Sequence, residues 1–144
     1  MTRHAVVLMN LGGPDSPAAV RPFLYNLFKD PAIIGVPAPF RLPLAWLVAK
    51  RRSAVAADIY AHLGGASPLL ANTQAQARAL EAALGGDYRC FIAMRYWHSL
   101  TAAAVAAVKD WAPDDIVLLP LYPQFSTTTT GSSLAAWRHE ARGA

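Results

Sequence analysis

LPLYPQFSTTTTGSS, residues 119–133, is the most informative run in the chain. It begins as an apolar run bounded by prolines, passes Tyr122 and Phe125, and ends in hydroxyl side chains around Gly131. A core strand does not carry so many hydroxyls, and a solvated linker has no use for two aromatics. The run reads as a strand leaving a sheet, then a loop, then a helix. In an open parallel sheet, the carboxyl ends of the strands are where ligands bind.

Working outward, two more strands are expected. AVVLM, residues 5–9, is continuously apolar with two β-branched residues, as in a strand buried on both faces. YRCFIAM, residues 88–94, is the second, and residues 116–121 form the third, at the head of the opening run. Between the first two, Ser16 and Pro17 suit an N-cap and first helical position, with apolar Val20, Phe23, Leu24, Leu27 and Phe28 spaced for a helix over 17–29. Further helices are expected from near Leu42 to Arg52, over 54–63, over 68–84 with Ser67 as cap, over 100–111 and over 129–142. The order β-α-α-α-α-β-α-β-α predicts an α/β, Rossmann-like parallel sheet with right-handed crossovers. Three strands make a thin sheet, so apolar surface should remain poorly covered.

Composition bounds the function. The chain has 144 residues, 54% hydrophobic and 15% charged, which suits one globular domain. The single cysteine, Cys90, rules out a disulfide framework within the chain and suits a reducing compartment. The start, MTRHAVVLMNLGGP, has too short an apolar run for a signal peptide, so a cytoplasmic location is expected. The net charge of +4 permits acidic partners, yet Lys50-Arg51-Arg52 is too short to be a nucleic-acid stripe, and no nucleic-acid partner is expected. Residues 31–49, PAIIGVPAPFRLPLAWLVA, are strongly apolar but hold Pro31, Pro37, Pro39, Pro43 and Arg41, which argue against a spanning helix. An apolar lip over a cleft, a surface touching a membrane peripherally, and a loop packed on the domain all remain open for them.

Chemistry gathers at three strand ends: residues 10–14, 95–98 and 122–133. Arg51, Arg52, Tyr60 and Ser67 add to this set from between the first two strands. There is no nucleophile elbow and no metal-ligand spacing of Cys or His. His98 stands at a strand end, while His4, His62 and His139 lie far from it in sequence. A large, flat, apolar ligand with carboxylates suits this inventory. Arginine forks bind carboxylates, hydroxyls add neutral hydrogen bonds, and apolar walls accept a planar ring. The rival is a Rossmann-like module whose glycine turn at 10–14 and hydroxyl loop hold a phosphate-containing ligand. That turn lacks both the dinucleotide fingerprint and a P-loop lysine.

Five collinear motifs carry a resemblance: LMNLGGP at 8–14, AKRR at 49–52, Tyr60 followed by LGGASPL at 63–69, MRYW at 94–97, and PLYPQFSTTTTGSS at 120–133. In these the chain resembles ferrochelatase over essentially its whole length. The resemblance implies that residues 1–144 are the N-terminal domain of a two-domain chelatase-type fold. It implies insertion of ferrous iron into protoporphyrin IX to give protoheme. Arg52, Tyr60 and Ser67 match positions contacting porphyrin propionates; Leu11, Phe28 and Tyr122 match positions lining the macrocycle pocket. Arg95 and Tyr96 match the family's pair near the metal side, the implied catalytic groups. Thr128, Thr129 and the Gly131-Ser132-Ser133 turn match a hydroxyl-rich pocket loop.

Three departures carry expectations of their own. Thr127 stands where cluster-bearing members have cysteine, so no iron–sulfur cofactor is expected, and ferrous iron enters only as substrate. Ser99 stands where the family often has proline, which should loosen that turn. The family's proton-accepting histidine has no match here, so the 144-residue chain is expected to be inactive alone. An unfinished sheet should also hide its apolar surface, by self-association or by exchange of the 129–142 helix.

Overall fold

The computed structural model describes residues 2–143, so the two outermost residues of the expected 1–144 domain lie outside the described residues. Its centre is β1, His4–Asn10, with Ala5–Met9 buried. The two faces of such a strand both need covering, which explains why its sequence is continuously apolar rather than alternating. β2, Tyr88–Met94, and β3, Asp115–Pro120, flank it in a three-stranded parallel sheet of order β2-β1-β3. The register sets His4 against both Tyr88 and Asp115, and Met9 against Ala93 and Pro120.

The chain forms two compact units: one runs up to Gly12 and resumes at Leu70, the other is Gly13–Leu69. In the first, α3, Leu69–Leu84, covers one sheet face, packing Ala77 and Leu80 on Val6 and Leu8. On the other face α4, Thr101–Trp111, and α5, Ser132–Arg142, set Ala104, Val105, Val108 and Trp137 on Ala5, Val7 and Met9. The α/β, Rossmann-like expectation is met. So is the thin sheet with poorly covered apolar surface: β3 is an edge strand with Ile116, Val117 and Leu119 exposed.

The second unit departs from the expected helix count. After a 3-10 turn at Pro17–Ala19 and α1 at Val20–Phe28, a single 24-residue helix, α2, Ala38–Ala61, replaces the two helices expected at 42–52 and 54–63. Pro39 sits in its first turn, where an amide would lack a partner anyway, and Pro43 removes one bond near the same end. Beyond Pro43 no glycine or proline interrupts the helix, and alanine favours its continuation. Ala45 and Ala49, one turn apart, are buried. Ser16 precedes the 3-10 turn in extended conformation but makes no side-chain cap bond; its hydroxyl donates to Asp15 at 3.5 Å. A tight 3-10 start presents its amides differently from the α-helical start that Ser16 was expected to cap. Among the described residues, no helix is long and apolar enough to cross a membrane.

Candidate functional site

In the first unit, the carboxyl ends of all three strands are tied together by short bonds. Beyond β1, the Asn10 and Leu11 carbonyls accept the amides of Arg95 (2.9 Å) and Tyr96 (3.0 Å). The Asn10 side chain accepts the Leu11 amide at 2.9 Å and donates to Thr73 Oγ1 at 3.4 Å, so it fixes the turn from both sides. Beyond β2, the Ser99 carbonyl accepts the Met94 amide at 2.7 Å. That bond closes the turn that serine was expected to loosen, because the closure uses backbone atoms that any residue supplies.

The hydroxyl run sorts into two groups. Ser126 caps the π-helical turn at Thr127–Gly131: its Oγ accepts the Thr128 amide at 3.2 Å and lies 2.8 Å from Thr128 Oγ1, while Thr129 Oγ1 donates to it at 3.1 Å. Thr128 and Thr129 are half-buried and engaged locally. Helical structure therefore begins two residues earlier than expected, and regular α geometry only at Ser132. Ser132 and Ser133 are buried and face the strand ends. Arg95 Nε donates to Ser132 Oγ at 2.7 Å, and the Tyr122 hydroxyl meets Ser133 Oγ at 2.9 Å. Arg95 also lies 4.9 Å over the ring of Tyr96, which is fully buried. Burial pushes the Tyr122 phenol up; the Ser133 bond and the Arg95 charge partly offset it.

In the second unit, Arg52 lies 6.0 Å over the Phe28 ring, so an expected carboxylate contact and an expected ring-lining residue stand together. Tyr60 follows Arg52 by two turns of α2, its phenol pushed up by burial. Its carbonyl takes the Gly65 amide at 2.8 Å, and Gly64 and Gly65 adopt positive φ that turns the chain toward Ser67. The Ser67 amide donates to the Pro14 carbonyl at 2.8 Å and its Oγ accepts the Leu69 amide at 3.3 Å, as expected of a cap. A Cβ at Gly13 would run into the Ser67 side chain, and one at Gly12 would meet the Trp97 amide nitrogen at 3.0 Å. Contacts within the protein therefore account for a glycine at each of these two positions without any ligand.

Sequence reasoning placed Asn10 and Ser126 in the runs at the strand ends but missed their bonding roles, and it missed the inward direction of Ser132 and Ser133. The helical phase of α5, which separates the two serines from the threonines before them, was the signal that could have found the pair.

An open parallel sheet of three strands flanked by helices defines a Rossmann-like α/β domain, a class in which the carboxyl ends of the strands are where ligands bind. The ferrochelatase family model matches residues 3–144. The chain belongs to the ferrochelatase family. It is 62% identical over 144 residues to the ferrochelatase of Caulobacter vibrioides strain NA1000 / CB15N, covering 96% of this chain and 42% of that protein. The ferrochelatase of Phenylobacterium zucineum is 59% identical with the same coverage. That of a Wolbachia symbiont of Drosophila simulans is 49% identical, covering 97% of this chain and 46% of the relative. The chain spans less than half the length of these relatives.

Proposed function

We propose that this chain supplies porphyrin-binding groups for insertion of ferrous iron into protoporphyrin IX, forming protoheme. The observation that carries the reading is the clustered strand end, Arg95 on Ser132 and Tyr122 on Ser133, in a chain of this family. In this reading Arg52, Tyr60 and Ser67 take propionates, and Leu11, Phe28 and Tyr122 line the macrocycle, with Thr128 and Thr129 contributing hydroxyls. Arg95 and Tyr96 serve the metal side. Iron is the substrate. Iron–sulfur clusters are held by cysteine thiolates, and the hydroxyl of Thr127 does not supply one, so no resident cluster is part of the proposal.

The porphyrin-contacting groups named above all lie within residues 1–144, and we assign these residues, taken by themselves, binding rather than turnover. Titration of protoporphyrin IX, followed in the Soret band, should saturate, while ferrous iron insertion by the 144-residue protein should stay at background. A response to nucleotides and none to porphyrin overturns the binding assignment. Turnover comparable to a full-length homologue overturns the restriction to binding.

Peripheral membrane contact is a second reading for the start of α2, favoured by Phe40, 71% exposed, and Trp46, 49% exposed. Sedimentation with anionic vesicles should carry the protein down, and Phe40→Ser should reduce that. Self-association through the exposed β3 edge is proposed alongside it; light scattering from a monomer at high concentration counts against it.

A further inference from the structure

We infer that Ser132 and Ser133 are positioning residues that fix Arg95 and Tyr122 from one helix start, rather than hydroxyls that line the ligand pocket. Both serines are buried, at 5% and 3% exposure, so neither offers its hydroxyl to a ligand. Successive residues of a helix point about 100° apart. That divergence sends Ser132 to the β2 end, where its Oγ accepts from Arg95 Nε at 2.7 Å and stands 3.5 Å from the Tyr96 hydroxyl. It sends Ser133 to the β3 end, onto the Tyr122 hydroxyl at 2.9 Å. The first turn of α5 is thereby a clip joining two strand ends, anchored by Trp137 in the core below. A guanidinium held at Nε and stacked on Tyr96 has lost most of its rotamer freedom before any ligand arrives, which is what a preorganised anion-binding group requires. The inference rests on the porphyrin reading for its ligand but not for its geometry.

Tyr122 reports on the clip, because the Ser133 bond and the Arg95 charge both lower its titration. Tyrosinate absorbance, with Tyr122→Phe subtracted, isolates this residue. Ser133→Ala should raise the Tyr122 midpoint by removing the bond. Ser132→Ala, which leaves the Ser133 hydroxyl on Tyr122 in place, should raise it too, by releasing Arg95. In an Arg95→Gln background, Ser132→Ala should add nothing. Protoporphyrin affinity should fall about tenfold in Ser132→Ala, the size of one hydrogen bond to a charged group. Ser132→Cys, which keeps the side-chain shape at a somewhat larger volume and weakens the acceptor, should give an intermediate midpoint and serves if the alanine variant does not fold. An unchanged Tyr122 midpoint in the folded Ser132 variants overturns the inference, as does an undiminished Ser132 effect in the Arg95→Gln background. A wild-type protein that binds no porphyrin overturns the functional reading, while the titration cycle still decides the clip.

Discussion

The Glu81 carboxylate accepts the Cys90 amide at 2.7 Å, on the outer edge of β2. It is one of three closures there: the Tyr88 amide donates to the Gly85 carbonyl at 3.2 Å and the Met94 amide to that of Ser99 at 2.7 Å. Alternate amides of a strand point to the same side, so the donors an incoming strand would use at these positions are taken by the chain itself. Burial and the Glu81 charge together hold the Cys90 thiol above its ordinary range. Glu81→Ala should cost about 1 kcal/mol in denaturant unfolding. It should also bring the pH profile of iodoacetamide alkylation to lower pH, since the thiolate no longer forms beside a carboxylate. An alkylation profile identical to wild type would show that the carboxylate does not sit where the geometry puts it.

Gly13 and Ser67 are fitted to each other. A Cβ at position 13 would come within 2.5 Å of Ser67 Cβ. Gly13→Ala should cost about 1–3 kcal/mol through overpacking and weaken porphyrin binding by moving Ser67. The double variant Gly13→Ala/Ser67→Gly removes the obstructing side chain. It should recover most of the stability but not the binding. Recovery of neither would place the strain elsewhere in the turn.

How much was legible follows from how local each signal is. β1 and β2 were read to within a residue because their apolar runs are bounded by polar residues, His4 and Asn10 for the first, Asp87 and Arg95 for the second. α2 was divided in two because prolines and the Lys50-Arg51-Arg52 run look like a break. A proline near a helix start costs little, however, and arginine and lysine are good helix formers. The exposure of β3 depends on what lies beside it in the sheet, which its own apolar sequence does not record. Arg95 and Tyr122 stood out because they follow strands directly. Ser132 and Ser133 did not, because a row of hydroxyls reads as one lining until the helix gives each a direction.

Trp97 carries a buried indole N–H with no hydrogen-bond partner among the described residues. Its ring meets His98 edge-on at 4.9 Å, so its aromatic body is placed while its polar atom is not satisfied. Leaving a buried donor unpaired costs about 1–3 kcal/mol. Trp97→Phe removes the donor and keeps an aromatic ring, trading that gain against lost packing. Its thermal midpoint should match or exceed that of wild type, whereas Trp137→Phe, in the packed core, should lower it. A large loss at position 97 would mean that the indole N–H has an acceptor in solution.

Stability at high pH follows from the phenol of Tyr122. Its folded-state pKa lies above the ordinary value of 10.0, with burial the largest cause. An unfolded chain therefore loses this proton first. Between the two values the native state binds more protons, so stability falls as pH rises. The contribution is complete below the unfolded value and is lost progressively as pH climbs through the folded one. Tyr60 and Cys90, also raised by burial, act with the same sign. In a Cys90→Ser background the urea midpoint should decline above about pH 10, and Tyr122→Phe should flatten that decline. Ser133→Ala should steepen it, because loss of the hydroxyl bond widens the gap between folded and unfolded titration. Parallel curves for the Cys90→Ser protein and its Tyr122→Phe derivative would show that the phenol is as well solvated in the folded protein as in the unfolded chain.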